Sequence, residues 1–264
     1  MIKVKNLDFS YRAKRHIFRD LSLSVDAGQI CGLLGSNGIG KSTLLKLIGG
    51  LLTPNSGSVE VQGSEAQRHS LATLQNIAYL PEEFSLPNIR VKDWVAVTAP
   101  FYGSFDHAFF AKAMGEFEVN EGEKFGSLSM GQRKKVLIAF AMACGTSLLL
   151  LDEPTNGLDI TSKQTFRRLL AEWATPSRTA IISTHQVKDV ENLLDHIIIL
   201  DKLGNQSGRN HLTSICHRII ECQNLDRSKL DSISVTQLYQ CCMAIPYRGA
   251  GVRKARFLLI HIGQ

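Results

Sequence analysis

Apolar and polar residues follow two spacings along the first 200 positions, and the shorter spacing predicts strands. Apolar and polar side chains alternate over Ser58–Gln62, as in a strand with one buried face. The run Ser147–Leu151 is almost wholly apolar, which is typical of a central parallel strand that is covered on both faces. The other predicted strands are Ile2–Asp8, Leu21–Val25, Gln29–Leu34, Asn76–Leu80, Arg178–Ser183 and Ile197–Leu200.

Segments with apolar residues at helical spacing lie between these strands. Strands that alternate with helices predict an α/β fold with a mainly parallel sheet, to which we add an antiparallel β part at the N-terminus. The predicted helices are Ser42–Gly49, Val91–Ala99, Phe105–Phe117, Met130–Cys144, Ile160–Ala174 and Val187–Leu194.

The segment at about 87–144 differs from its surroundings in composition, since it is rich in aromatic residues and its apolar residues mostly have helical spacing. We interpret it as a helical subdomain inserted into a domain that covers 1–203. The pattern weakens after Asp201. The remaining residues, 204–264, are interpreted as a C-terminal extension of unknown role.

Composition narrows the class of protein. The chain has 264 residues, of which 44% are hydrophobic and 20% charged, as in a globular protein with a full core. It has no apolar run near the roughly 20 residues that span a bilayer and no signal-peptide pattern, so we expect a cytoplasmic location. The net charge of +6 suits an anionic ligand or membrane surface, and equally an ordinary basic protein. Basic residues are not interleaved with aromatics, so no nucleic-acid partner is expected.

A glycine-rich stretch between a predicted strand and a predicted helix fits the phosphate-binding pattern G-x-x-x-x-G-K-[ST]. Glycines let backbone N–H groups approach a phosphate closely, and the following helix N-terminus favours an anion. The lysine places a positive charge on the β- and γ-phosphates, and the serine hydroxyl after it can bind Mg²⁺. The stretch consists of Gly35, Ser36, Asn37, Gly38, Ile39, Gly40, Lys41, Ser42 and Thr43.

Two carboxylates, Asp152 and Glu153, end the apolar strand. In phosphate-loop enzymes an aspartate at this position holds Mg²⁺, and the next glutamate can reach a water near the γ-phosphate. Without a phosphate loop in the chain, an acidic strand end at the surface would be the favoured interpretation.

Five further features have a fixed order along the chain. A serine at position 129 can cap a helix and leave free N–H groups behind it, which predicts a second anion site. A histidine follows the strand Thr179–Ser183, at the edge where such sheets bind ligands. The five features are Tyr11, Pro81-Glu82-Glu83, Leu128-Ser129-Met130-Gly131-Gln132, Gly157-Leu158-Asp159 and His185.

Together, these features resemble the nucleotide-binding subunit of ATP-binding-cassette (ABC) transporters, over about Ile2–Asp201. The stretch from Leu128 to Gln132 reproduces the signature sequence that separates this family from other phosphate-loop ATPases. The resemblance implies a phosphate-loop NTPase core that binds ATP and Mg²⁺ and hydrolyses the ATP.

The resemblance also implies roles for single residues. Tyr11 would stack on adenine, and Ser42 and Asp152 would hold Mg²⁺. Glu153 would be the general base for the attacking water, and His185 would contact the γ-phosphate.

The family works as a head-to-tail dimer, which implies a second ABC ATPase subunit, expected to be identical. Ser129 and Gly131 would bind the γ-phosphate of ATP held by that subunit, and Asp159 would lie at the interface. A separate integral membrane permease is implied as well, so that the chain would lie peripherally at the inner face of the cell membrane. The permease would dock between the helical insert and the sheet core, near Glu82 and Phe84.

One position departs from the family's commonest pattern, because Glu82 stands where a glutamine is usual. Glutamate in this context resembles a branch that is found mostly with exporter-type membrane subunits. A carboxylate oxygen can bind Mg²⁺, so Glu82 is a further candidate metal ligand.

Two other functions stay open from the sequence. One is a soluble ABC ATPase outside transport, acting as an assembly or regulatory factor; a single cassette without heptad repeats argues against it. The other is a module that binds ATP without hydrolysing it, against which the presence of Glu153 and His185 argues.

Overall fold

The computed structural model describes residues 1–12, 15–68, 70–203, 216–221 and 258–259. Most of the predicted extension at 204–264 therefore lies outside the described residues. The strands are β1 (Ile2–Arg12), β2 (Arg15–Val25), β3 (Ile30–Leu34), β4 (Ser56–Val61), β5 (Ser64–Glu65), β6 (Ile77–Leu80), β7 (Leu148–Asp152), β8 (Thr179–Thr184), β9 (His196–Leu203), β10 (Cys216–Glu221) and β11 (Leu258–Leu259). The helices are α1 (Lys41–Ile48), α2 (Leu71–Gln75), α3 (Val91–Thr98), α4 (His107–Glu116), α5 (Met130–Ala143) and α6 (Ile160–Trp173).

The strands form two sheets. A four-stranded antiparallel sheet has the order β2-β1-β4-β5, and a seven-stranded sheet has the order β11-β10-β9-β3-β8-β7-β6. In the larger sheet β9, β3, β8, β7 and β6 run parallel, whereas β10 and β11 are antiparallel to their neighbours. The predicted fold class, with a mainly parallel sheet and an antiparallel N-terminal part, is confirmed.

Strand β7 shows how the core is divided. Side chains of a strand point alternately to its two faces, and all five residues of β7 are buried. Leu148 and Leu150 pack with α1 and the antiparallel sheet, while Leu149 and Leu151 pack with α5 and α6. Each of these fully buried leucines contributes about 1.5–3 kcal/mol of hydrophobic stabilisation.

The chain between β6 and β7 is built from α3, α4 and α5, which pack through aromatic side chains. The Phe140 ring on α5 lies 4.5 Å from Trp94 and 5.1 Å from Phe105, measured between ring centroids. Helix α5 extends from this aromatic cluster to the sheet and is buried along most of its length. It thereby connects the helical segment mechanically to the edge of the sheet.

One predicted helix is wrong. Instead of a helix over Val187–Leu194, the chain forms two short 3-10 turns at Val187–Asp189 and Glu191–Leu193. The N–H of Val190 donates to the carbonyl of Val187, three residues back, and its side chain is fully buried. Val190 has φ −134° and ψ −5°, outside the α-helical region, so the helical path ends there and the chain turns early towards β9.

The length and composition of the helices indicate whether one of them could cross a membrane. In the described part of the chain, no helix combines the length and the apolar character that a bilayer crossing requires.

Candidate functional site

Three neighbouring strands bring the predicted site together. Strands β3, β8 and β7 are adjacent and parallel, so their carboxyl ends lie at one edge of the sheet. The phosphate loop follows β3, Asp152 ends β7, and His185 follows β8. Ligands of open α/β sheets bind at this edge.

The loop between β3 and α1 depends on glycines with positive φ. Gly38 has φ 75° and Gly40 has φ 119°, a region of backbone space that favours glycine. A Cβ on Gly40 would lie 2.9 Å from side-chain carbons of Ile17 and Phe18, so a larger residue would not fit. Gly40 is also the residue that precedes α1, whose N-terminal N–H groups face the loop. This arrangement fits a bound phosphate chain.

Lys41 is buried within the loop that it follows. Its ammonium donates to the carbonyl of Gly35 at 2.9 Å and to that of Ser36 at 3.5 Å. It also lies 3.6 Å from Oε1 of Glu153, and both side chains are almost fully buried. The Lys41 ammonium therefore contacts both the phosphate loop and Glu153, the residue that follows β7.

The Glu153 side chain lies between two basic groups. Its Oε2 atom is 2.9 Å from Nδ1 of His185 and accepts a longer bond, 3.4 Å, from the His185 backbone N–H. Its Oε1 atom faces Lys41. A buried carboxylate fixed beside a histidine has the geometry of a base whose orientation a second group controls.

Asp152 is held by β8. Its carboxylate accepts a short hydrogen bond from the Ser183 hydroxyl, and the Ser183 carbonyl and hydroxyl both accept from the Glu153 N–H, at 3.0 and 3.1 Å. Asp152 is only 2% exposed. Burial, and then the Asp152 charge, raise the pKa of the nearby Tyr79 hydroxyl, which stays neutral.

A cavity of about 890 Å³ opens beside these groups, a volume that accommodates a nucleotide. The Tyr11 hydroxyl lies 3.2 Å from Oγ1 of Thr43, and its ring packs edge-on against Phe9 with 57% of the residue exposed. An exposed ring face at the cavity wall is suited to stacking on a base. The cavity is lined by Tyr11, Arg12, Ile17, Asn37, Gly38, Gly40, Lys41, Ser42, Thr43, Glu82, Glu153, Asn156 and His185.

The donor set suits Mg²⁺. Ser42 and Glu82 both line the cavity, and Asp152 lies at the same sheet edge. Among the described residues there is no group of three acidic, histidine or cysteine side chains that could hold a metal alone. Mg²⁺ commonly takes one or two protein oxygens together with substrate phosphates and water, and these residues fit that pattern. Bound there, the ion would neutralise charge on the phosphates.

The signature stretch lies apart from this cavity. Ser129 caps α5 by accepting from the Gln132 N–H at 3.2 Å, and Gln132 accepts from the Ser129 N–H at 2.9 Å. Leu128 is buried, whereas Ser129 is exposed and Met130 is 62% exposed. None of the residues from Leu128 to Gln132, Gly131 included, lines the cavity of the same chain.

The family is decided by comparison with known proteins. Residues 18–156, more than half of the chain, match the family model described as "ABC transporter". The chain belongs to the ABC transporter family. The family assignment that the sequence suggested is confirmed, and the chain is an ABC ATPase.

Curated relatives of this ABC ATPase include proteins named for transport in different directions. The lantibiotic transport ATP-binding protein SrtF of Streptococcus pyogenes is 31% identical over 213 residues, covering 76% of this chain and 90% of the relative. The molybdate import ATP-binding protein MolC of Haemophilus influenzae is 34% identical over 226 residues, covering 81% and 85%. The Nod factor export ATP-binding protein I of Burkholderia lata is 30% identical over 230 residues, covering 83% and 74%.

Solved structures agree with this fold. An ATP-binding subunit of an ABC transporter superposes with a TM-score of 0.68 and 27% identity, covering 75% of this chain and 85% of the other. A dimeric ATP-binding cassette in a post-hydrolysis state, bound to ADP and Pi, superposes with a TM-score of 0.66 over 75% and 94%. The second is 23% identical, so it supports the fold alone.

Asp159 begins helix α6 of the ABC ATPase. Its carboxylate accepts from the Ser162 N–H at 2.7 Å and from the Ser162 hydroxyl at 2.8 Å, and Lys135 lies 3.5 Å away. These hydrogen bonds from Ser162 lower the pKa of Asp159 to about 2. The side chain is mostly exposed, as an interface residue would be, although the contact itself stays a prediction.

Sequence reasoning missed three residues that support the site. They are Ser183, which bonds to both acidic residues, Lys134, which reaches the backbone of Glu153, and Asn156, which donates to Glu82 at 3.2 Å. For Ser183 a signal was available, since it lies two residues before His185 at the same strand end. Lys134 gave none, because it follows Arg133 and precedes Lys135 in what looks like a solvated basic run.

Proposed function

We propose that the chain is the ATP-hydrolysing subunit of a transporter, works as a head-to-tail dimer and drives a separate membrane subunit. The proposal of a dimer rests mainly on the position of the signature stretch. Ser129 and Met130 of the signature stretch are exposed and Gly131 is half-buried, and none of the stretch lines its own chain's nucleotide cavity, so it is available to a nucleotide held by another chain. The capping box uses the N–H groups of Ser129 and Gln132, which leaves those of Met130 and Gly131 at the N-terminus of α5 to bind a phosphate.

In this proposal each chain supplies two half-sites. The phosphate loop, Tyr11 and the Mg²⁺ ligands hold ATP, and Glu153 accepts a proton from the attacking water. His185 keeps the Glu153 carboxylate oriented, as their 2.9 Å contact supports. Ser129 and Gly131 of the second chain complete the γ-phosphate site. The neighbour that was solved as a dimer with ADP and Pi has the same fold, so this fold is compatible with a dimer.

A groove next to the cavity suits the membrane subunit. It has a volume of about 410 Å³ and lies between the helical segment and the sheet core. Glu82 belongs to both the groove and the nucleotide cavity, so a docked helix could affect the chemistry through it. The chain would then lie at the inner face of the membrane. The groove is lined by Glu82, Glu83, Phe84, Met130, Lys134, Asn156 and Gly157.

The names of relatives support transport and leave its direction unassigned. One relative is named for import and another for export, at similar identity. The exporter-type interpretation therefore depends on Glu82 alone. Swapping in the family's usual residue, Glu82→Gln, and following the direction of transport with the native permease would test it.

The dimer is tested with the Glu153→Gln variant, which should bind ATP and hydrolyse it poorly. With saturating ATP and Mg²⁺, light scattering after size exclusion should give twice the chain mass of 29.2 kDa. Adding Ser129→Arg to this variant should restore the single-chain mass, because a bulky cation would enter the shared site. Single chains in the ATP-loaded Glu153→Gln protein, or a dimer that Ser129→Arg leaves intact, would contradict the proposal.

The membrane partner is tested by gentle solubilisation of cells that express the tagged chain. Recovery from the membrane fraction together with a polytopic protein is expected. Recovery as a soluble dimer without such a protein would instead support the assembly or regulatory function.

A further inference from the structure

Lys134 on α5 is a buried cation whose contacts are to backbone carbonyls. It is 4% exposed, and its ammonium donates to the carbonyl of Glu153 at 2.6 Å and to that of Asn156 at 3.0 Å. These two carbonyls bracket the tight turn that leaves β7. The side chain thus binds the segment that carries the catalytic carboxylate.

This segment needs support because its backbone is strained. Glu153 has φ 46°, in the left-handed region that residues with a side chain rarely adopt. Such a conformation persists only where the surroundings fix it. Ser183 holds the N–H of Glu153 from β8, and Lys134 holds its carbonyl from α5. The peptide groups on both sides of the strained residue are therefore fixed by different elements.

Burying the Lys134 ammonium costs free energy, which its contacts must offset. Burial lowers the pKa of Lys134, while the carboxylates of Glu82, Glu153 and Asp152 act in the opposite direction. A buried ammonium is costly unless it is paired and fully hydrogen-bonded. Here the ammonium makes two hydrogen bonds to backbone carbonyls, and the attraction of the three carboxylates offsets part of the cost.

We propose that Lys134 is a positioning residue for ATP hydrolysis, which holds the backbone of Glu153 so that its carboxylate stays directed at the attacking water. The inference deepens the proposed function, since it assumes the role of Glu153 as base. It also makes α5 a connection between two sites. Ser129 and Gly131 at the start of this helix belong to the shared phosphate site, and Lys134 reaches Glu153 from the same helix.

The test compares Lys134→Met with Lys134→Gln in the full chain. Methionine keeps much of the volume and cannot donate, whereas glutamine can still donate two hydrogen bonds to carbonyl oxygens. Because a displacement of about 1 Å can lower a rate a hundredfold, kcat of Lys134→Met should fall about ten- to a hundredfold. KM for ATP should change less than threefold, since the phosphate loop is untouched. Lys134→Gln should recover at least part of kcat.

The control is Met142→Ala, which opens a cavity in the core on the same helix, away from the site. It should lower thermal stability as much as or more than Lys134→Met and leave kcat within twofold of the original. Equal turnover in Lys134→Met and the unchanged chain would overturn the proposal. So would a loss of kcat that Met142→Ala matches at equal stability.

Hydrogen exchange gives a readout that does not depend on turnover. Amides of Glu153 and of residues 155–158 should exchange at least tenfold faster in Lys134→Met, with little change in α6; Pro154 has no amide hydrogen. Unchanged exchange there would refute the positioning role even if turnover fell. Fast exchange and low kcat together with a monomeric Glu153→Gln protein would refute the dimer and leave the role of Lys134 standing.

Discussion

Ser183 is the residue whose removal tests how the acidic edge of the sheet is held. Its hydroxyl donates to the buried Asp152 carboxylate and accepts from the Glu153 N–H. In Ser183→Ala the Glu153 N–H keeps a second acceptor, the Ser183 backbone carbonyl at 3.0 Å. The net loss is therefore one hydrogen bond to a buried charge.

The expected loss of stability follows from the removal of this one hydrogen bond. A hydrogen bond to a charged group contributes about 1.5–3 kcal/mol, so the free energy of unfolding should fall by about 2 kcal/mol. For a chain of this size 1 kcal/mol corresponds to roughly 2–4 °C, so the melting temperature should drop by about 4–8 °C. Because Asp152 is a candidate Mg²⁺ ligand, the Mg²⁺ concentration for half-maximal ATPase activity should rise as well.

The assay is urea unfolding followed by tryptophan fluorescence, together with Mg²⁺ titration of ATP hydrolysis. Ser22→Ala is the matched control, since the Ser22 hydroxyl accepts from the Asn6 N–H at 2.9 Å near the surface, away from the site. It should cost about 0.5 kcal/mol and leave the Mg²⁺ titration unchanged. If Ser183→Ala and Ser22→Ala unfold at the same urea concentration, the hydroxyl does not support Asp152 and the reasoning fails.

Two further predictions concern the fold. Gly145 has φ 68°, and a Cβ there would lie 2.1 Å from the Ser104 carbonyl oxygen, so Gly145→Ala should lower the free energy of unfolding by several kcal/mol. Gly63 has φ 78° and open space around it, so Gly63→Ala should cost only the backbone strain of about 1–2 kcal/mol. Asp159→Ala removes a helix cap and should cost about 1 kcal/mol at pH 7. Because Ser162 depresses the Asp159 pKa from 3.8 to about 2, this difference should be complete above about pH 5 and shrink as the pH falls through 3.8 towards 2. Urea unfolding checks both predictions, at pH 7 for the glycine variants and across pH for Asp159→Ala. A larger loss of stability in Gly63→Ala than in Gly145→Ala would contradict the first, and a pH-independent effect of Asp159→Ala would contradict the second.

The parts of the site that could be predicted from the sequence are contiguous stretches. The phosphate loop, the pair Asp152–Glu153 and the signature each carry their chemistry in a few consecutive residues, so their residue types and spacing could be recognised without knowing the fold. Strand β7 was recognisable for the same reason, since burial on both faces gives an unbroken apolar run. The roles assigned to these residues stay predictions.

The parts that could not be predicted depend on contacts between distant elements. Lys134 is in a run of three cations, and only the packing of α5 in the fold directs its side chain to the backbone that follows β7. The pairing of β10 with β9 joins segments whose sequences give little alternation. The helix expected at Val187–Leu194 is wrong because the backbone of Val190 is not helical, a break that the local apolar pattern does not indicate.

The strain at Glu153 explains why such distant contacts are needed at all. Adjacent residues of a strand point to opposite faces, so a regular extension of β7 would direct the Asp152 and Glu153 side chains apart. The left-handed turn at Glu153 breaks this alternation and lets its carboxylate reach His185 and Lys41. Local sequence cannot stabilise that turn, because glutamate does not favour it. The fold must therefore supply the restraint from outside the strand, and Ser183 on β8 and Lys134 on α5 are the groups that do so.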